Sequence, residues 1–412
     1  MLSVEDNELL TRVENAPMGR MLREYWTPAV RSARLEAGGA PVKVRLFGED
    51  FVAYRGTDGS VGFLRERCPH RGASLALGRV EGCEIRCLYH GWKFRADGQA
   101  VEVPSEPGER AADFAARIQT LAAATHEEAG VVWVYLGEQS TPPPFPDFPF
   151  VGLPESHTRP LAAETRCNWL QAVEGTLDSS HVSVLHQAWL GMSKGNLRQA
   201  ADDSAPRYEF EPMDFGLRFA ALRRLVDGNL YVRVTEFLAP WTAFIPTGDE
   251  DCMAIIGTPI DDHTSRQWFI RWNPSHPLTS DTDTHSWYEP LTAEPDDFTT
   301  LVRDRPMWGQ DRAAMAEGHF SGIENLVLED VAIQESQGPI VDRSAERLSA
   351  GDLAVVRTRR LLLEAVRRHA ADGVLPIGSQ LGKALSVTPG VAYTIGADGE
   401  WRDAAELRGN RD

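Results

Sequence analysis

Two constellations in this chain combine residue types and spacing that can hold a metal. In the first, Cys68-Pro69-His70 is followed, after sixteen residues, by Cys87-Leu88-Tyr89-His90. Two thiolates and two imidazoles suit Zn²⁺, or a [2Fe–2S] cluster in which two His replace two Cys on one iron. Spacing alone does not separate the two. The second lies in Asn168–His186, NWLQAVEGTLDSSHVSVLH, which brings Asp178, His181 and His186 close together. Five residues along a regular helix turn through about 140°. Both rings therefore meet one metal only if the helix bends or ends between them.

Two His and one distant carboxylate form the facial triad of non-haem Fe(II) sites, which leaves positions open for O₂. The downstream stretch NLVLEDVAIQESQGP offers Glu329, Asp330 and Glu335 as the carboxylate. Asp330 is the expected ligand, on the flank of a helix whose Leu and Val positions face a core. Glu329 would point about 100° away. Asp178, one turn before His181, is then free to accept the second N–H of a ligand histidine and fix its orientation. Cys83, four residues before Cys87, reads as a buried strand cysteine and not as a ligand.

The elements that must position these groups follow from pattern. The chain of 412 residues, 42% hydrophobic and 25% charged, has room for two or three domains. Its net charge of -18 excludes nucleic acid as a partner, because phosphate binding is driven by clustered Lys and Arg. No apolar run approaches the ~18 residues of a membrane span. The acidic start MLSVEDNELL lacks the basic region of a secretory signal, and five cysteines, an odd number, fit reduced thiols in a cytoplasm.

Residues 3–25 read as helix, and the period then changes to two, giving a β-rich stretch that ends in AGVVWVYLG. TPPPFPDFPF, with five prolines, reads as a linker. Beyond it RYEFEP, GLRFAALRR, NLYVRVTEFLAP, MAIIGTPI and SRQWFIRW read as strands, with helices from Asp311 to Glu335 and from Asp352 to His369. The expectation is an α+β protein: N-terminal helices (1–29) packing on the catalytic domain, a metal-binding β domain (30–140), a linker (141–150) and a mononuclear metal domain (151–412).

CPHRGA and CLYHGWKF resemble the Rieske iron–sulfur signature. NWLQAVEGTLDSSHVSVLH, EDVAIQESQGPIVDRSAERL and PMGRMLREYWTPA look like Rieske non-haem iron ring-hydroxylating oxygenases of the phthalate dioxygenase type, over about residues 17 to 365. The resemblance implies that Cys68 and Cys87 bind one cluster iron and that His70 and His90 bind the other. It implies Fe(II) on His181, His186 and Asp330, O₂ as co-substrate, and a helix-grip (START-like) catalytic domain. It also implies head-to-tail homotrimers, sometimes stacked as hexamers, in which Asp178 bridges to a Rieske histidine of the neighbouring subunit. Electrons would come from NADH through a separate flavin/iron–sulfur reductase.

That branch commonly takes benzoates and phthalates, so a cation should meet the substrate carboxylate. Arg233 shares a strand face with Tyr231, Thr235 and Phe237; Arg207 and Arg218 are its rivals. The polar loop Leu190–Ala205 suits a lid. Residues 61–100 carry seven basic and four acidic groups, a net of +3, and would dock an acidic electron donor. Against dihydroxylation stand a monooxygenase or O-demethylase reading and a Rieske electron carrier; three irons per chain mark an oxygenase, two a carrier.

Overall fold

A computed structural model describes residues 2–139, 141–191, 196–248, 251–278, 294–303 and 305–404. It divides into two compact units, Leu22–Pro142 and Met1–Met21 with Pro143–Asp412. The N-terminal helix expected over residues 3–25 is two helices, α1 (Val4–Thr11) and α2 (Pro17–Leu22). Ser3 caps α1 by accepting from the Asp6 amide at 3.1 Å. Asn15 at φ 52 and Pro17, which fits only a first helical turn, separate the two.

The Leu22–Pro142 unit holds ten strands: β1 (Thr27–Arg31), β2 (Val42–Leu46), β3 (Glu49–Arg55), β4 (Val61–Arg65), β5 (Arg79–Glu81), β6 (Glu84–Arg86), β7 (Lys93–Phe94), β8 (Ala100–Glu102), β9 (Ala124–Glu128) and β10 (Val131–Tyr135). A short helix, α3 (Ala111–Ala115), lies between β8 and β9. Three antiparallel sheets result, β1-β10-β9, β2-β3-β4 and β5-β6-β7-β8. Because β1 pairs with β10, the division falls at Met21 and not at residue 29 as expected. Tyr54, Leu64, Leu75, Ile85 and Phe94 form a core that includes Cys68 and Cys87.

The second unit is built on one eight-stranded antiparallel sheet. Its strands are β11 (Thr158–Thr165), β12 (Arg207–Met213), β13 (Gly216–Arg224), β14 (Leu230–Leu238), β15 (Thr242–Ile245), β16 (Cys252–Pro259), β17 (Ser265–Trp272) and β18 (Val391–Ile395). Their order is β11-β17-β16-β15-β14-β13-β12. β14, buried along its whole length, pairs with β13 on one edge; its other edge is shared by β18 at Leu230–Val234 and β15 at Glu236–Leu238. Sequence reading missed β11, β15 and β18. TRPLAAET carries a proline and two alanines where alternation would show, and the other two strands are short.

The helices here are α4 (Trp169–Leu177), α5 (Gln187–Leu190), α6 (Arg312–Ala316), α7 (Leu326–Ser336) and α8 (Leu353–Asp372). The helix expected from Asp311 to Glu335 is α6 and α7. Asn325 starts the second, its side chain accepting from the amides of Val327 (2.9 Å) and Leu328 (3.3 Å). α4 packs on β16 and β17 and against α7 and α8. The expected linker is only partly one. Phe148 and Phe150 are buried and stack at 5.0 Å, with Phe244 and Trp272 beyond them. Among the described residues no helix is long and apolar enough to cross a membrane.

Candidate metal centres

In the β unit two loops share one frame. The amides of Gly72 and Gly91 bond the carbonyls of Cys68 (2.9 Å) and Cys87 (3.0 Å), four residues back. The amides of Cys68 and Cys87 bond the carbonyls of Ala73 and Trp92, both at 2.8 Å. Both glycines sit at φ +74, which an L side chain adopts at a cost, so the tight return needs them. Each cysteine follows an arginine that donates to the loop glycine carbonyl, Arg67 to Gly72 (3.4 Å) and Arg86 to Gly91 (2.7 Å).

The frames bring His70 and His90 to ring centroids 4.5 Å apart, with His70 stacked on Trp92 at 4.4 Å. Both Nδ1 atoms are buried without a hydrogen-bond partner among the described residues, and both thiols are buried. Burial, with Cys87 beside it, pushes the Cys68 thiol up to about 11. Two buried ring nitrogens and two buried thiols, carried by paired loops of the same frame, are a donor set that binds a cation with the thiols as thiolates; these four residues fit a [2Fe–2S] cluster. Cys83 stands apart from them. It lies at the turn between β5 and β6, partly exposed and hydrogen-bonded to Asp58, not buried in a strand.

In the second unit α4 ends at Leu177, before either histidine. Asn168 caps its start, accepting from the Leu170 amide (3.1 Å) while donating to the carbonyls of Thr11 (2.9 Å) and Asp262 (2.8 Å). Asp178 then accepts from the Ser180 amide at 2.7 Å, and His181–Ser183 is a 3₁₀ turn. This departure from regular helix removes the angular mismatch. His181 Nε2 and His186 Nε2 lie 3.2 Å apart, and Asp330 Oδ1 is 3.4 and 3.2 Å from them. Ligand bonds of about 2.1 Å meeting near 90° put neighbouring donors about 3 Å apart. The three atoms therefore fit one face of a single ion.

The electrostatics agree. Burial opposes a charge on His186, but Asp330 and Glu329 raise it to about 9. Burial likewise opposes ionisation of Asp330, and His186 outweighs it and lowers that carboxyl. Asp178 faces His181 Nδ1 at 3.7 Å. Glu329, set aside in the sequence as pointing elsewhere, is fully buried with Oε2 2.6 Å from His186 Nδ1. Behind α4, Arg343 and Arg359 clamp Glu174 at 2.9 and 2.7 Å.

His181, His186 and Asp330 line a cavity with Arg233 and Thr235 on one strand and apolar Leu190, Ile245, Met253 and Phe269 around them. Arg233 is 6% exposed, and its Nε and Nη1 have no partner among the described residues. The rival arginines lie elsewhere. Arg218 pairs with its cross-strand neighbour Glu236 (2.7 Å) and with Glu211 (3.3 Å). Arg207, on the edge strand β12, is exposed and pairs with Glu209.

Arg223, which sequence reading passed over, is fully buried and bonds Ser179, Ser183 and the Asp203 carbonyl. Burial, with Arg233 nearby, lowers it to about 10. The apolar stretch FAAL running directly into Arg223 in GLRFAALRR was the available signal. Of the expected lid, residues 192–195 lie outside the described residues, and Leu197–Ala201 is a 3₁₀ turn.

A β unit with paired Cys/His loops, joined to a sheet-and-helix unit with two histidines and a carboxylate on one cavity, defines an oxygenase of the Rieske type. The chain belongs to that family. The Rieske [2Fe-2S] domain matches residues 25–121, and the LigXa C-terminal domain like family matches residues 134–403.

The chain is 41% identical to the phthalate 4,5-dioxygenase oxygenase subunit of Pseudomonas putida, over 98% of this chain and 94% of that one. It is 36% identical to the 3-chlorobenzoate-3,4-dioxygenase oxygenase subunit of Comamonas testosteroni, over 99% of each. Among solved structures, NdmA of Pseudomonas putida CBB5 with caffeine superposes with a TM-score of 0.60 at 19% identity, covering 89% of this chain and 96% of that one. The protein is an oxidoreductase that carries a Rieske [2Fe–2S] domain.

Proposed function

We propose that this chain is the terminal oxygenase component of an NADH-dependent system that dihydroxylates an aromatic carboxylate, benzoate- or phthalate-like. The carrying observation is Arg233, a buried guanidinium with two unpaired donors in the cavity that His181, His186 and Asp330 line. Buried donors left unpaired are costly, and a carboxylate in the cavity would accept charge-assisted hydrogen bonds from this guanidinium. Arg223, a second buried cation on the adjacent strand, adds to the pull on an anion. The names of the two relatives, which act on phthalate and 3-chlorobenzoate, support the same class.

Cys68, Cys87, His70 and His90 would hold the cluster, and His181, His186 and Asp330 the Fe(II). When bound, these groups supply single electrons and the activation of O₂. The chain's own residues do the rest. Arg233 anchors the carboxylate and so fixes which ring edge faces the iron ligands. Leu190, Ile245, Met253 and Phe269 hold the ring and exclude water.

Asp178, which faces His181 Nδ1 at 3.7 Å, is the residue proposed to bridge to a cluster histidine of a neighbouring copy, in a homotrimer or stacked hexamer. Support comes from its place on a second, more open cavity that also reaches His181 and Asp330 and has exposed Ile333 and Leu348 among its walls. A flavin/iron–sulfur reductase is proposed as the donor, in the cytoplasm. Its docking would rest on Arg67 and Arg71, since Arg65, Arg79, Arg86, Lys93 and Arg95 already face carboxylates.

The test is mass spectrometry of products formed under ¹⁸O₂ with a phthalate-type reductase, NADH and a panel of benzoates, phthalates and methoxybenzoates. Two labelled oxygens in a ring diol are expected. One labelled oxygen, or loss of methyl, moves the protein to the monooxygenase or O-demethylase reading. Arg233→Met should lower kcat/KM for the carboxylate about 10–100-fold, the worth of a charge-assisted pair. An equal loss on an uncharged analogue of the same ring would refute the anchor.

A further inference from the structure

We propose that Glu329 is a positioning residue for the mononuclear metal: it accepts the Nδ1–H of His186 and so aims Nε2 of that ring at the ion. The inference rests on the metal set His181, His186 and Asp330, and it does not depend on the substrate.

Three observations carry it. The first is the contact itself, 2.6 Å between Glu329 Oε2 and His186 Nδ1, with the Glu329 side chain fully buried. A neutral imidazole donates from one nitrogen and accepts at the other. A carboxylate on Nδ1 claims that N–H and leaves the Nε2 lone pair free. His186 Nε2 is the atom that lies 3.2 Å from Asp330 Oδ1 and 3.2 Å from His181 Nε2.

The second is how Glu329 is held. Ser321 Oγ accepts from the Ile323 amide at 3.0 Å and donates its own proton to Glu329 Oε1. No Lys or Arg pairs with Glu329 among the described residues. A buried carboxylate with only a hydroxyl and an imidazole for partners is expensive. The arrangement pays off electrostatically when the imidazole carries positive charge, from a proton or from a metal on its far nitrogen.

The third is the helix. Residues 329 and 330 are consecutive on α7, about 100° apart around its axis. One side chain reaches Nδ1 of His186 and the next reaches Nε2, so a single helical turn grips one ring from both ends. His181 has no such grip. Its Nδ1 faces Asp178 at 3.7 Å, beyond hydrogen-bond length. His186 is thus the fixed ligand and His181 the looser one.

The experiment uses the full chain with its cluster in place. The mononuclear metal is removed with a chelator, Fe(II) is titrated back anaerobically, and Co(II) serves as a spectroscopic probe of ligand geometry. Glu329→Leu is expected to weaken Fe(II) binding about 10–100-fold, the usual cost of losing a carboxylate behind a ligand histidine. Glu329→Gln, which keeps an acceptor but can also donate to Nδ1 and favour the wrong tautomer, should fall between it and the wild type. The Co(II) d–d bands should shift in both while cluster absorption stays constant. Wild-type affinity with unchanged Co(II) bands in both variants overturns the proposal. Should Glu329→Leu fail to fold, the isosteric Glu329→Gln decides alone by the same two readouts. A wild-type chain that takes up no Fe(II) would overturn the metal set as well.

Discussion

The two histidine pairs are built from the same residues in similar geometry, yet they offer opposite nitrogens. His70 and His90 lie 4.5 Å apart, centroid to centroid, and His181 and His186 lie 5.0 Å apart, both pairs edge to face. In the first pair Nδ1 is the buried atom without a partner. In the second the Nε2 atoms converge, and each Nδ1 faces a carboxylate, Glu329 at 2.6 Å or Asp178 at 3.7 Å. What stands behind a ring thus decides which end it gives to a metal. At the β-unit site nothing among the described residues claims Nδ1, the ring nitrogen nearer the backbone of its own tight turn. At the other site Glu329 of α7 claims Nδ1 of His186 and leaves its Nε2 free, while Asp178, at the end of α4, faces His181 from 3.7 Å. The first site is set by backbone turns, the second by buried charge.

The largest effect should come from removing a ligand on one side only. Asp330→Ala is expected to lower iron from about three atoms per chain to about two and to bring turnover to background, with the visible spectrum of the cluster retained. Loss of cluster colour in that variant would mean that the two centres are not separately built. Asp178→Asn should keep all of the iron and still lose nearly all coupled turnover; normal turnover would remove Asp178 from the proposed electron route.

The buried-charge side should also be the one that acid weakens. Glu174, on α4, is held by Arg343 (0% exposed) and Arg359 (4%). Burial opposes its charge, and the two arginines outweigh burial and hold its carboxyl below the usual range. A group with a lowered folded pKa contributes stability above its unfolded value, about 4.3, and that stability is lost as pH falls through the folded pKa. Glu174→Gln takes the carboxylate from the fully buried Arg343, while Arg359 keeps Glu346 at 2.6 Å, and should cost about 3 kcal/mol at neutral pH. Its stability should also fall less steeply than that of the wild type below about pH 4.3. Parallel pH curves from chemical unfolding would show that the ion pair contributes little.

This contrast also explains what could be read in advance. CPHRGA and CLYHGWKF are local: ligand, turn glycine and strand lie within five or six residues, so the metal loops were legible as a unit. The triad could be assembled because Asp178, His181 and His186 are close in sequence and Asp330 sits on a strongly patterned helix. Glu329 was not legible as a partner of His186, because its role depends on how α7 is rotated against a segment 143 residues away. Arg233 could be ranked with Arg207 and Arg218 but not separated from them. Which side of the sheet faces the cavity, and that Glu236 pairs with Arg218, are facts of strand register. The histidine spacing required a bend or end between His181 and His186; α4 in fact ends earlier, at Leu177, and a 3₁₀ turn follows at His181–Ser183.

The smallest predicted effect tests the backbone side of the comparison. Gly72 and Gly91 occupy the same place in the two loops and the same φ of +74. A Cβ on Gly72 would meet nothing within 4 Å, whereas one on Gly91 would lie 3.2 Å from Pro104 Cγ and 3.7 Å from Arg86 Nη1. Gly72→Ala therefore bears only the left-handed strain, about 1–2 kcal/mol. Gly91→Ala bears that and must also displace a proline ring, which yields less readily than a flexible side chain. Thermal unfolding followed through the cluster absorption should rank wild type above Gly72→Ala and Gly72→Ala above Gly91→Ala, with the cluster retained in the first variant. Equal losses would mean that Pro104 gives way freely and that φ alone sets the cost. No loss in either would mean that the cluster, once bound, dictates the turns, and the first site would then be shaped by its metal more than by its glycines.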